Sequence, residues 1–222
     1  MYDTAALVTS LLTDKGKRSR QKEIGPSEIG GCRRKLWYRL KEQQVTNPDT
    51  LSLAAFMGTA IHKKIEQQIK RLDPFGDRFL REIEVESDGM YAHLRGHVDL
   101  FVPADKIVID WKTTTKKNLS KFPSEQQRWQ VHLYAAMLIE SGREVEEVAL
   151  VAIARDGNEN DVKIYQEPYD HSVTVAAMNW LEEVMSYQDD LPPADNHPRF
   201  CRDYCQFYDR TGEVGCPGST AN

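Results

Sequence analysis

The chain has 222 residues, 40% hydrophobic and 9% aromatic, enough to bury one sizeable core with a small appendage. No apolar run reaches the roughly 20 residues of a bilayer crossing, and the opening MYDTAALVTSLLTDKGKRSR lacks the order of a signal peptide; a cytoplasmic protein with no membrane partner is expected. The net charge of -5 hides an asymmetry, because Lys15 to Lys41 holds ten Lys or Arg against Glu23 and Glu28, a local +8 that leaves -13 for the rest. A basic stretch on an acidic body suits phosphate contact, with metal ligands among the excess acids, although a solvated helix face has the same composition.

In chain order, GPSEIGGCRRKLWYRLKEQ predicts a helix capped by Ser27, with Leu36, Trp37 and Leu40 at helical spacing. A second helix is predicted from about Leu53 to Leu72, with Ile61, Ile65, Ile69 and Leu72 on one face and Pro74 and Gly76 ending it. Strands follow at roughly Phe79 to Glu86, Tyr91 to Val102 and KIVIDWKTT, a meander whose second connection is the short PADK. PSEQQRWQVHLYAAMLIESG opens on a capping box of Ser124 and Gln127 and closes on Gly142, so it reads as a helix. VALVAIARD and VKIYQEPY flank DGNEND as a hairpin, and a helix follows from about Asp170 to Gln188. Four prolines from Leu191 onward predict an irregular tail, and its three cysteines read as holding it through ligands.

Strand geometry gives GHVDLFVPADKIVIDWKTTT its chemistry. Residues two apart share a face, so Asp110 and Lys112 point one way and Trp111 the other. The apolar run before Asp110 marks a buried strand, where a carboxylate and an ammonium are expensive unless paired or given to a ligand. Through PADK the strand carrying Asp99 becomes an antiparallel neighbour, so Asp99 and Asp110 are placed to converge. Converging carboxylates suit a hard cation such as magnesium or manganese, which neutralises charge on a phosphate and activates water. Lys112 adds a fixed positive charge beside it. The ordinary alternative is a hairpin in which Asp110 and Lys112 form a local ion pair. His62 and Glu66, four apart on the second helix, offer an imidazole ligand and a carboxylate to orient it. Gln130 and Tyr134 repeat that spacing and suit positioning DNA or Lys112, with packing as their default role.

These pieces, GTAIHKKIE, GHVD, IDWK and QVHLY, stand in an order that resembles the RecB-like branch of the PD-(D/E)XK nuclease superfamily, particularly its iron-sulfur members, the CRISPR-associated exonucleases and the AddB nuclease domain. The resemblance covers most of the chain. It implies an α/β fold of restriction-endonuclease type, a mixed sheet flanked by helices, as one domain over 1–222. His62, Asp99 and Asp110 would bind catalytic Mg2+ or Mn2+ with the Trp111 carbonyl, and Lys112 would serve the attacking water. It implies exonucleolytic hydrolysis of DNA at single-stranded ends, in recombination, repair or phage- or CRISPR-related processing, with a helicase or other partner protein to open duplex. Arg33, Arg34, Lys35, Lys116, Lys117 and Lys121 become phosphate contacts.

The same relatives place one cysteine before the nuclease core and three after it, as Cys32, Cys201, Cys205 and Cys216 stand here. That implies a [4Fe-4S] cluster stapling 27–41 and 191–222 into a subdomain. The tail departs from the family's tight triplet, with three and then ten residues between its cysteines, and structural zinc uses the same four thiolates. Two other classes stay open: a non-cleaving nucleic-acid-binding adaptor with the same fold, and a zinc-stapled structural protein, which would leave Asp99, Asp110 and Lys112 unexplained.

Overall fold

The computed structural model describes residues 23–48, 53–87, 89, 91 and 94–219. The basic residues at 15, 17, 18, 20 and 22 lie outside them. The elements are α1 (Arg33–Leu40), α2 (Leu53–Leu72), β1 (Leu80–Glu86), β2 (Arg95–Val102), β3 (Ile107–Thr114), α3 (Glu125–Glu140), β4 (Glu147–Ala154), β5 (Val162–Pro168), α4 (His171–Ser186) and α5 (Pro198–Tyr204). Among the described residues no helix is long and apolar enough to cross a membrane.

The five strands form one mixed sheet in sequence order. β1, β2 and β3 are an antiparallel meander, β3 and β4 pair in parallel, and β4 and β5 are antiparallel. The parallel pair requires a crossover, which α3 supplies. β4 is buried along almost its whole length, whereas β5 alternates exposed and half-buried residues as an edge strand does. On one face Ile65 and Ile69 of α2 pack against Leu100, Val102, Ile107, Ile109, Trp111 and Ala149. The alternate residues of β3, Asp110 and Lys112, meet α3 on the other face. The result is a restriction-endonuclease-like α/β fold, a five-stranded mixed sheet flanked by helices.

Three expectations need correction. Ser27 does not cap α1: Pro26–Glu28 form a separate 3-10 turn, Gly30 turns the chain at φ 82°, and Cys32 holds the N-cap position. Leu72, expected on the buried stripe of α2, is 68% exposed, whereas Ile69 three residues earlier is buried. The proline-rich tail contains α5, in which Pro198 takes the first helical position, where a missing N–H costs nothing, and the His197 ring caps Arg199 N–H.

The described residues of Glu23–Gly30 and Gly58–Trp180 form one compact unit, and those of Gly31–Met57 and Leu181–Asn222 a second. The first holds the sheet. In the second, Asp195 takes the Arg33 backbone N–H and guanidinium, both at 2.8 Å, and Gln206 O accepts N–H groups from Thr46 and Asn47.

Candidate active site

β2 and β3 pair from Val102↔Ile107 to Leu100↔Ile109, and there the ladder ends. Just past it, the Trp111 N–H donates to Asp99 Oδ2 at 2.9 Å. The same oxygen lies 3.3 Å from His62 Nδ1 on α2. Asp99 thus ties a helix to the backbone of β3 at the point where two strands separate. Its hydrogen bond pushes the His62 pKa up, against the opposing effect of burial.

On the other face of β3, Lys112 Nζ stands 2.6 Å from Asp110 Oδ2 and donates to Gln130 Oε1 at 2.6 Å. The Gln130 amide nitrogen donates to Asp110 Oδ1 at 3.2 Å and to Tyr134 OH at 3.3 Å. Lysine only donates, so the amide oxygen must face it, and one side chain of α3 holds both charges. Asp110 is 2% exposed, and its Oδ2 has the ionic neighbour but no hydrogen bond of ordinary direction. Burial pushes the Asp110 carboxyl up, with Asp99 adding to the rise and Lys112 opposing it.

Energetics decide what this ion pair is for. Taking each charge from water costs several kcal/mol, and a buried pair at best roughly offsets that, so as a stabilising device it is poor. The local ion pair weighed from the sequence is present, but it sits with His62 and Asp99 around the opened end of a strand. The carboxylate oxygens are hard donors that suit Mg2+ or Mn2+, the imidazole is a borderline donor better matched to Mn2+, and the buried Asp110 Oδ2 is an acceptor such a cation would satisfy. Among the described residues, no three His, Cys, Asp or Glu side chains are already gathered around one metal position. Glu66 makes no hydrogen bond to His62.

Two glycines make the approach possible. A Cβ on Gly96 would stand 2.7 Å from Tyr134 Cε1 and 3.0 Å from Pro26 Cδ, and one on Gly58 would stand 3.1 Å from Thr113 Oγ1. The sequence reading missed Thr113, whose Oγ1 lies where a side chain at Gly58 would begin and accepts from the Arg155 guanidinium. Its only signal was its place one residue after Lys112.

The basic residues divide. Arg33 is held by Asp195 and Glu183, the Arg34 Nε–H donates to Pro192 O, and Lys116 pairs with Asp161 at 2.9 Å. Lys35, Lys117 and Lys121 are exposed and form no ion pair among the described residues.

Cys32, Cys201, Cys205 and Cys216 are free, buried and in the same compact unit. Cys32 and Cys216 act electrostatically on both Cys201 and Cys205, although no three of the four sulfurs are gathered around one metal position. Burial pushes the Cys201 and Cys205 thiols up, while backbone N–H groups of Ser219 and Phe207 oppose that rise. Cys216 Sγ accepts from Gly218 N–H at 3.4 Å. Amide donors aimed at three sulfurs fit thiolates bound to a cation.

The fold has solved counterparts. The crystal structure of SSO0001 is similar over 99% of both chains with a TM-score of 0.64 at 17% identity. An alkaline exonuclease from Laribacter hongkongensis, LHK-Exo, is similar over 76% of this chain and 91% of its own, with a TM-score of 0.52 at 13% identity. Its complex with dAMP gives a TM-score of 0.53. At such identities the likeness shows the fold alone. No curated protein matches the chain. The sequence profile of the PD-(D/E)XK nuclease superfamily matches residues 34–210. The chain therefore belongs to the PD-(D/E)XK nuclease superfamily.

Proposed function

We propose that this chain is a divalent-metal-dependent deoxyribonuclease of the RecB-like, iron-sulfur type, acting as an exonuclease on single-stranded DNA ends in recombination, repair or CRISPR-related processing. The observation that carries the reading is the buried Asp110–Lys112–Gln130 arrangement beside the His62–Asp99 pair, at the point where β2 and β3 part. The name of the Laribacter relative, an alkaline exonuclease, supports exonucleolytic action.

His62, Asp99 and Asp110, with the Trp111 carbonyl, would hold Mg2+ or Mn2+. Bound there, the cation supplies Lewis acidity and positive charge at the scissile phosphate. Asp99 Oδ2 keeps His62 in place by accepting from its Nδ1–H and fixes the β3 backbone by accepting the Trp111 N–H. Lys112 orients the attacking water and puts a fixed positive charge opposite the negative charge that builds on the phosphate. Gln130, steadied by Tyr134, aims the Lys112 ammonium. Lys35, Lys117 and Lys121 are proposed backbone contacts on the substrate, with Arg33, Arg34 and Lys116 available only by exchanging their present partners. The four cysteines would hold a [4Fe-4S] cluster; iron with acid-labile sulfide supports that assignment, and zinc in its place supports a zinc staple.

The test is digestion of end-labelled single-stranded DNA with magnesium or manganese by the wild type, Asp99→Ala and Lys112→Ala. Metal-dependent cleavage by the wild type is expected, with losses of about 10^3-fold in both variants and intact folding by circular dichroism. A wild type that binds DNA yet leaves single- and double-stranded substrates uncut with both metals would replace the nuclease with an adaptor.

A further inference from the structure

The end of the sheet that carries Lys112 holds a second cation, and this one, unlike Lys112, has no carboxylate partner among the described residues. Arg155 follows the last residue of β4, where its backbone N–H donates to Thr114 O at 2.9 Å. Its side chain reaches to β3 and donates from Nη1 to Thr113 Oγ1 at 3.3 Å. Among the described residues that hydroxyl is the guanidinium's one hydrogen-bond partner, and no acidic side chain pairs with it. The acids of the adjoining hairpin are engaged elsewhere: Asp156 Oδ1 accepts Lys116 N–H at 2.8 Å, and Asp161 Oδ2 accepts Asn158 N–H at 2.9 Å and pairs with Lys116 Nζ. By contrast Arg33, Arg95 and Arg128 all have carboxylate partners.

The surroundings fix where this guanidinium is offered. Thr113 Oγ1 is the atom nearest to a Cβ built on Gly58, one helical turn before His62 on α2. Arg155 therefore sits beside the helix face that carries His62, and on the strand that carries Lys112 its anchor is the next residue. From Asp110 to Thr113 the strand advances roughly 10 Å. That is beyond groups acting on the scissile phosphate and suits one neighbouring along the same strand. A half-buried arginine with most of its five donors uncommitted presents the planar fork that phosphate oxygens accept.

We propose that Arg155, oriented by Thr113, binds a non-bridging phosphate oxygen of the substrate strand next to the phosphate being cut. This rests on the nuclease reading and adds a substrate-positioning residue to it. Because the contact goes to the backbone, it carries no base preference.

The test is anisotropy of a fluorescein-labelled single-stranded oligodeoxynucleotide over a salt series, in a Lys112→Ala background that prevents cleavage. Adding Arg155→Ala is expected to weaken binding about tenfold and to reduce the slope of log affinity against log salt by about 0.7, the loss of one phosphate contact on a single strand. Arg155→Lys is expected to keep the slope while losing severalfold in affinity, and it carries the test should the alanine variant fail to fold. Arg143→Ala, at the end of the sheet remote from Lys112, is expected to leave the slope unchanged; an equal drop there would assign the effect to general charge and overturn the proposal. Unchanged affinity and slope in folded Arg155→Ala overturns it while the nuclease reading stands. A wild type that cuts neither strand form removes the nuclease reading, and this inference with it, whatever Arg155 does.

Discussion

Gln130 faces a lysine with its amide oxygen and a carboxylate with its amide nitrogen, both inside the protein. Its removal acts in two ways that separate in measurement. Gln130→Ala leaves Asp110 Oδ1 and Tyr134 OH short of a donor, which costs about 1–3 kcal/mol of stability. It also frees the Lys112 ammonium to swing, and positioning losses of this kind lower activity about 10–100-fold. The expected result is a folded protein with metal-dependent cleavage reduced by that factor and a pH–rate profile shifted relative to the wild type, because the partners of Lys112 have changed. A variant that melts lower but cuts at the wild-type rate with the same profile would reduce Gln130 to packing. Asp110, Lys112 and Asp99 were legible in the sequence because strand alternation puts two of them on one face of an apolar strand. The clamp was only half legible: Gln130 and Tyr134 stood at helical spacing, but that Gln130 bridges the ion pair depends on the depth at which α3 packs.

At the scale of elements, α2 matches its expected bounds because its apolar spacing and the Pro74 and Gly76 stop are both strong local signals. α3 is a different case. Gln130 through Leu138 are all buried, so its periodicity carries no stripe, and the Ser124–Gln127 capping box identified it instead. The parallel pairing of β3 with β4 and the parting of β2 from β3 were not legible, since both arise from long-range packing. Nor was the cluster joining α3 to β5. Glu167 accepts from Arg128 at 2.6 Å and Tyr165 at 2.8 Å, and lies 2.9 Å from His132 Nε2. His132 Nδ1 accepts the Asp170 N–H, so the neutral ring carries its proton on Nε2. Burial pushes the Glu167 carboxyl up, but these donors outweigh it and leave the pKa at about 2, against 4.5 ordinarily. Burial pulls His132 below 6.5, with Glu167 opposing. Both shifts are downward, so in acid the unfolded chain binds more protons than the folded one. The stability they contribute is whole above pH 6.5, erodes first as unfolded His132 takes up its proton, and falls further as the pH drops from 4.5 toward 2. Urea midpoints measured across that range are expected to decline less steeply in Glu167→Gln than in the wild type; parallel declines would show that the cluster contributes nothing to acid sensitivity.

For the molecule as a whole, the two compact units differ in how their chain segments are assembled. The first has a five-stranded sheet with apolar packing on both faces. The second, from Gly31–Met57 and Leu181–Asn222, brings together segments far apart in sequence. Its buried side chains include Leu36, Trp37, Tyr38 and Phe207 beside the four cysteines. A small core closing so long a loop is poorly supplied with hydrophobic burial, the situation in which metal ligation commonly completes a fold. If a cluster or ion ties the four thiols, losing one ligand should loosen this unit and spare the other. Cys205→Ser is therefore expected to lose its bound metal and to exchange amide hydrogens faster in Arg33–Leu40 and Pro198–Tyr204, while the β3 and β4 amides keep their protection. Exchange that stays slow in those two helices after the metal is gone would mean that Trp37, Tyr38 and Phe207 suffice to hold the unit, and would leave the cysteines a role in chemistry rather than in folding.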